Sequence, residues 1–169
     1  MLIFMLLFLS ILIAWKWGDW RNWQLYYPTV LFMVLGDLSY NIISNAKPLW
    51  QYESPIFSSN FVEALICFVV FPCTCLIFLP LCSKVSKSKR IVYILFWALL
   101  YTFVEWISFN LGYFSHQNGW SFYWSFGFNC AMFPLLLLHF KKPLWVWPVS
   151  ITLAFVTIYL FELPFAILK

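Results

Sequence analysis

The sequence predicts an all-α fold, an integral membrane helical bundle with five or six transmembrane helices, on three observations. Of 169 residues, 64% are hydrophobic and only 9% charged, where soluble domains carry about 25% charged residues. Long apolar runs recur along the whole chain, and lysine and arginine are concentrated in the short joints between them. So few charges cannot cover a soluble fold of this size, whereas lipid needs no polar cover. Helices follow because a bilayer offers no partner to backbone N–H and C=O groups, which must be satisfied within the segment. The alternation of polar and apolar residues that marks membrane barrel strands is absent.

The runs lie at residues 1–15, 27–45, 61–82, 91–114, 120–140 and 144–168, within one bundle domain over residues 1–169. The first, MLIFMLLFLSILIAW, is short, since about 20 residues are needed to cross the hydrocarbon core. It spans only if the aromatic segment behind it lies at the interface, which leaves five or six spans open. No basic residue precedes it and no small-residue cleavage site follows, so it does not read as a cleaved signal peptide. The segment WKWGDWRNWQLYYP reads as a short interfacial helix capped by Asp19, with Pro28 opening the second span. Its Trp17, Trp20, Arg21 and Trp23 are expected membrane-interface anchors, while Trp50, Trp120 and Trp124 mark the opposite interface. Asn118-Gly119 reads as a turn.

Orientation follows from the cations. Lys16 and Arg21 lie after the first run, Lys84, Lys87, Lys89 and Arg90 after the third, and Lys141 and Lys142 after the fifth. These eight fall on one side, against Lys47 and Lys169 on the other. Cytoplasmic loops carry the excess of Lys and Arg, so the eight are expected inside and the C-terminus outside. Besides the bilayer itself, the expected partners are anionic lipid headgroups at these basic loops, and a homo- or hetero-oligomer stays open. The net charge of +4 does not point to nucleic acid, because its cations sit in short loops between apolar runs. The five cysteines lie in or beside those runs and read as buried thiols. Cys73-Thr74-Cys75 has no further ligand nearby, so neither a metal nor another cofactor is expected.

Polar residues inside the runs carry the rest. Positions four, then three, then four apart share a helix face. In the fourth run that face reads Ala98, Tyr101, Glu105, Ser108 and Gly112; in the second it holds Asp37, Asn41 and Ser44. The third offers Glu63, Cys67 and Thr74, and the fifth Ser121, Ser125, Asn129 and Met132. Glu162 precedes Pro164 near the end of the sixth. At ~1.5 Å per residue Asp37 falls near the midplane, Glu63 near the outer surface, and Glu105 and Glu162 in the outer half. A carboxylate at mid-membrane costs about 2.5–3.5 kcal/mol. It must face the bundle interior and find a partner, hold a proton or bind a cation. No Lys or Arg lies at comparable depth, so no buried ion pair with one is expected.

Two functions fit these acids. Asp37, Glu63, Glu105, Glu162, Asn41 and Asn129 either bind protons or cations in a small transporter or channel, or pack helices together in a structural, assembly or regulatory component. No Walker loop, H-E-x-x-H, G-x-S-x-G or dinucleotide glycine pattern is present. His116 and His139 read as interfacial or packing residues, and the protein is not expected to be an enzyme.

The segments WGDWRNWQLYYPTVLFMVLGDLSYN, PLWQYE, VEWI, NGWSFYWS and LLLHFKKPLW resemble a family of small multi-pass membrane proteins of endospore-forming Gram-positive bacteria. The likeness runs over most of the chain after residue 15, and WRNWQLYYPT is its most specific part. It implies a bacterial plasma membrane and a bundle of five or six helices, and carries no activity or catalytic residues.

Overall fold

A computed structural model describes residues 2–163. Lys169, the C-terminus predicted to lie outside, and residues 164–168 of the sixth predicted run fall outside the described residues. The apolar runs are helical: α1 (Leu2–Trp17), α2 (Trp23–Ser44), α3 (Ser59–Lys84), α4 (Lys87–Asn110), α5 (Phe122–Lys141) and α6 (Pro143–Leu160). By length and composition α3, α4 and α6 can each cross a membrane, and α1 with α2 can do so as a bent pair. Helix α5 has 20 residues but interrupts its apolar course with Ser125, Asn129 and His139.

The joint between α1 and α2 departs from the expected interfacial helix. It is a single 3-10 turn, Trp20–Asn22, and the chain axis swings by 89° there. Gly18 makes the corner. Its amide donates to the Ala14 carbonyl at 2.7 Å, and the Trp20 indole donates to the same oxygen at 2.6 Å. A Cβ at position 18 would collide with that carbonyl. Asp19 caps no backbone amide; its carboxylate accepts the Asn22 amide at 3.0 Å and the Tyr26 hydroxyl at 2.8 Å. Pro28 sits inside α2 rather than opening it. The 3-10 turn delivers Trp23 already helical, so the helix starts early, and the proline deprives only the Gln24 carbonyl of its donor.

Helix α3 is the axle. Over its most apolar stretch 56% is buried, against 17% for α4 and 11% for α6, because α1, α2, α4 and α5 all pack on it. Cys75, Phe78, Leu79 and Cys82 of α3 meet Tyr26 and Met33 of α2, Trp97 and Ala98 of α4, and Phe133 and Leu136 of α5. A π-helical turn at Ile66–Val70 interrupts α3, and Pro72 follows it. On α4 the opposite face, Val92, Leu95, Phe96, Leu99, Phe103 and Trp106, is exposed. A continuous apolar face of this extent suits lipid rather than water.

The prediction of helices alone is corrected at one end, where β1 (Trp50–Tyr52) pairs antiparallel with β2 (Phe114–His116). The register sets Trp50 opposite His116 and Tyr52 opposite Phe114. The fourth run was expected to reach residue 114, but α4 stops at Asn110. Gly112 takes φ 74°, and the Tyr113 and Gly112 amides return to the Ser108 and Phe109 carbonyls at 2.8 and 3.0 Å. This is the Schellman arrangement, which frees the next residues to extend. The turn predicted at Asn118-Gly119 forms, with φ values of 51° and 86° and the Trp120 amide bonded to the Gln117 carbonyl at 2.9 Å. The ribbon defines one end of the bundle. The corner at Gly18, the loop at Val85 and Ser86 and the joint at Lys142 define the other, the basic end.

Candidate functional site

Glu105 projects from α4 beneath the ribbon. The register of β2 brings His116 to it, and the imidazole Nε2 lies 2.7 Å from Oε1. With Glu105 ionised its oxygen only accepts, and Nε2 then carries the hydrogen. Ser125 of α5 donates to the same Oε1 at 2.5 Å and accepts the Trp120 indole N–H at 2.8 Å. The pair is nearly closed off, with 10% of the His116 side chain and 15% of the Glu105 side chain exposed. Phe109, Phe114 and Phe122 surround the imidazole, with ring centroids 5.1, 5.6 and 4.5 Å away. One carboxylate thus ties α4, α5 and the ribbon together. The expected lack of a buried ion-pair partner is corrected here: the partner is a histidine folded in from a loop. Ser125 and His116 both donate to Glu105 and do not bond each other, the reverse of the order in a nucleophile–base–acid relay.

Asp37 and Glu63 form a second group, between α2 and α3. Asn41 lies beside Glu63 and Cys67 beside Asp37, with the Cys67 thiol 3.9 Å from the Val34 carbonyl. Asp37 Oδ2 is buried without a hydrogen-bond partner. The π turn starts one residue before Cys67, whose thiol faces α2 at Val34. Tyr52 of β1 packs against the apolar cluster of Ile3, Leu7, Val62 and Ile66.

Further cross-links descend from there. Asn129 donates to Thr102 at 3.2 Å, joining α5 to α4. Thr74 meets the Tyr101 hydroxyl at 2.6 Å, joining α3 to α4. Towards the basic end Thr29 bonds His139 Nδ1 at 3.0 Å, and that imidazole stacks on Phe32 at 4.5 Å. Ala98, Ser108, Ser125, Asn129, Ser44, Cys67 and Thr74 are all buried, whereas Gly112, expected on the fourth stripe, lies beyond the end of α4 and is exposed.

Glu162 stands apart. It is exposed, in a turn beyond α6 with φ 49°, and its backbone carbonyl accepts Lys47 at 3.3 Å while Phe161's accepts it at 2.8 Å. Of the anchor residues, Trp17, Trp20, Arg21 and Trp23 are exposed at the corner between α1 and α2. Lys16 sits over the Trp17 ring at 4.7 Å. The opposite tryptophans differ from expectation: Trp120 is buried and Trp50 half-buried, stacked on Tyr40 at 3.8 Å, whose hydroxyl accepts the Leu49 and Trp50 amides at 3.0 and 3.2 Å. These rings fill the space under the ribbon, leaving Trp124 as the exposed one. Outside the helices, the Asn22 and Tyr26 hydrogen bonds hold the Asp19 carboxyl below its ordinary range.

Sequence reasoning missed His116 as the partner of Glu105, together with Tyr52 and Trp120. Each reaches the interior only through the ribbon. Among the described residues no three His, Cys, Asp or Glu side chains converge to hold a metal ion. The chain matches no family model, no curated protein and no solved structure.

Proposed function

We propose that this chain is a non-enzymatic component of a bacterial plasma membrane, with a structural, assembly or regulatory role. Its five or six spans are held together by intramembrane polar side chains. The basic end lies in the cytoplasm and the ribbon outside. The observation that carries this reading is the occupancy of Glu105: His116 and Ser125 both donate to it, joining two helices and a ribbon, as a packing element does and a free ion ligand does not. The exposed apolar faces of α4 and α6 are lipid-facing in this reading, and the eight cations of the basic end follow the positive-inside rule.

A second reading, a small proton or cation transporter, is favoured by one observation, the unpartnered buried Oδ2 of Asp37 beside Glu63. Flux of protons and monovalent cations into liposomes separates the two. Packing predicts no flux above empty vesicles for the wild type or for Glu105→Gln, with the variant folded and destabilised by only about 1 kcal/mol. Flux from the wild type that disappears in folded Asp37→Asn or Glu105→Gln would replace the packing reading by transport. Orientation is tested separately by thiol labelling in intact cells. Cysteine at Asn118 in the ribbon-end turn should react with an impermeant maleimide and cysteine at Ser88 should not; the opposite pattern would invert the topology.

A further inference from the structure

We infer that the ribbon is fastened by an acid-sensitive latch, in which the His116–Glu105 pair holds the ribbon to the bundle until the pair takes up two protons. The inference rests on the reading of Glu105 as a packing element and adds its regulation. The geometry supplies three parts. His116 belongs to β2 and Glu105 to α4, and their bond of 2.7 Å ties β2 to the bundle, while β1 is tied separately by the Trp50 amide to the Tyr40 hydroxyl and by Gln51 to Ser59. The phenyl rings of Phe109, Phe114 and Phe122 line the imidazole. Little water reaches either group, at 10% and 15% exposure.

The groups facing the pair define its charge. On α4 there is Glu105 itself, with Tyr101 one turn below. On β1 there is Tyr52, half-buried, and just after β1 there is Glu53, whose carboxylate accepts the Ser115 hydroxyl at 2.9 Å on the exposed side. On α5 the facing groups are Ser125 and Phe122, both neutral. Asp37 and Glu63, both half-buried, are the other acids inside the helices. Lys47, the only lysine or arginine in the two ribbon-end loops, is turned to the Phe161 and Glu162 carbonyls just past α6 instead. No cation competes with His116 for Glu105 among the described residues.

The consequence follows from counting protons. With none added, the neutral imidazole donates to a carboxylate. With one, an imidazolium donates to a carboxylate, and the bond strengthens because both partners are charged. With two, a charged imidazole sits among phenyl rings opposite a neutral carboxyl, and a buried charge without its counter-charge is strongly unfavourable. The imidazolium then moves to water and takes β2 with it. Both added protons are favoured by acid, so release is expected as the pH falls. On the proposed topology the ribbon faces outward, so the latch reports acidity outside the cell.

Amide hydrogen exchange of the protein in nanodiscs, corrected for the intrinsic pH dependence of exchange, tests this at about pH 7.5 and about pH 4.5. Amides of Trp50–Tyr52 and Phe114–His116 should lose more than ~10-fold protection at the acid value, while those of α3 hold theirs. In Glu105→Gln one proton already leaves the imidazolium without a counter-charge, so release should occur at higher pH than in the wild type. In His116→Gln no imidazolium forms, and the loss should be largely abolished. Wild-type ribbon protection that is flat with pH, or identical profiles in all three proteins, would overturn the latch, and the wild-type profile decides even if a variant fails to fold. Flux that depends on Glu105 would instead defeat the packing reading, and liposomes report that independently of exchange.

Discussion

Glu105 shows what a single residue in this sequence discloses and what it withholds. Its spacing from Ala98, Tyr101 and Ser108 was enough to place it on an inward face, because helical periodicity is a local property. Its partner was not legible, because His116 is eleven residues away in the chain and is delivered by strand pairing with residues 50–52. Asn129 is buried, and Asp37, Asn41 and Glu63 are half-buried. Glu162 was grouped with them by depth alone, and the end of α6 sets it in an exposed turn instead. Gly18 gave no periodic signal. Its importance is steric, since any side chain there meets the Ala14 carbonyl. Gly18→Ala should therefore destabilise the protein by about 1–3 kcal/mol, the usual cost of overpacking. Thermal unfolding in detergent measures it, and an unchanged transition would show that the corner yields freely.

At the scale of elements, each of the six predicted runs forms a helix among the described residues, because runs this apolar and this long have few other ways to satisfy their backbone. The errors lie at the ends. The fourth run continues to be apolar past Asn110, but Gly112 in the left-handed region stops the helix, and the residues beyond it pair with β1. A three-residue strand carries no pattern that distinguishes it from a loop, so the ribbon could not be read in advance. Helix α6 ends in the same way with Glu162 where a glycine would be easier: the Leu163 amide returns to the Ile158 carbonyl at 3.0 Å. Lys47 lies against the last carbonyls, where a cation complements the helix dipole. The π turn in α3 shifts the helical phase between Cys67 and Thr74, so one predicted stripe meets two different neighbours, α2 above and α4 below.

For the whole molecule, α3 organises the bundle and the polar side chains decide how its neighbours register against it. Helices in lipid gain little from burying apolar groups against one another, so close packing and interhelical hydrogen bonds carry more of the specificity. Here each of the α2–α5, α3–α4 and α4–α5 pairs has at least one such bond, through Thr29–His139, Thr74–Tyr101 and Asn129–Thr102, and Glu105 adds the ribbon. The composition announced a helical membrane bundle, and the stripes announced a polar interior. Which stripes would touch was settled by long-range packing that no local pattern encodes. The central claim, that Glu105 fastens the assembly, is tested most directly by a double-mutant cycle with Glu105→Ala and His116→Ala, read as the unfolding free energy of the reconstituted protein. Packing through this pair predicts a coupling of about 1–3 kcal/mol. A coupling near zero, with both single variants as stable as the wild type, would contradict it.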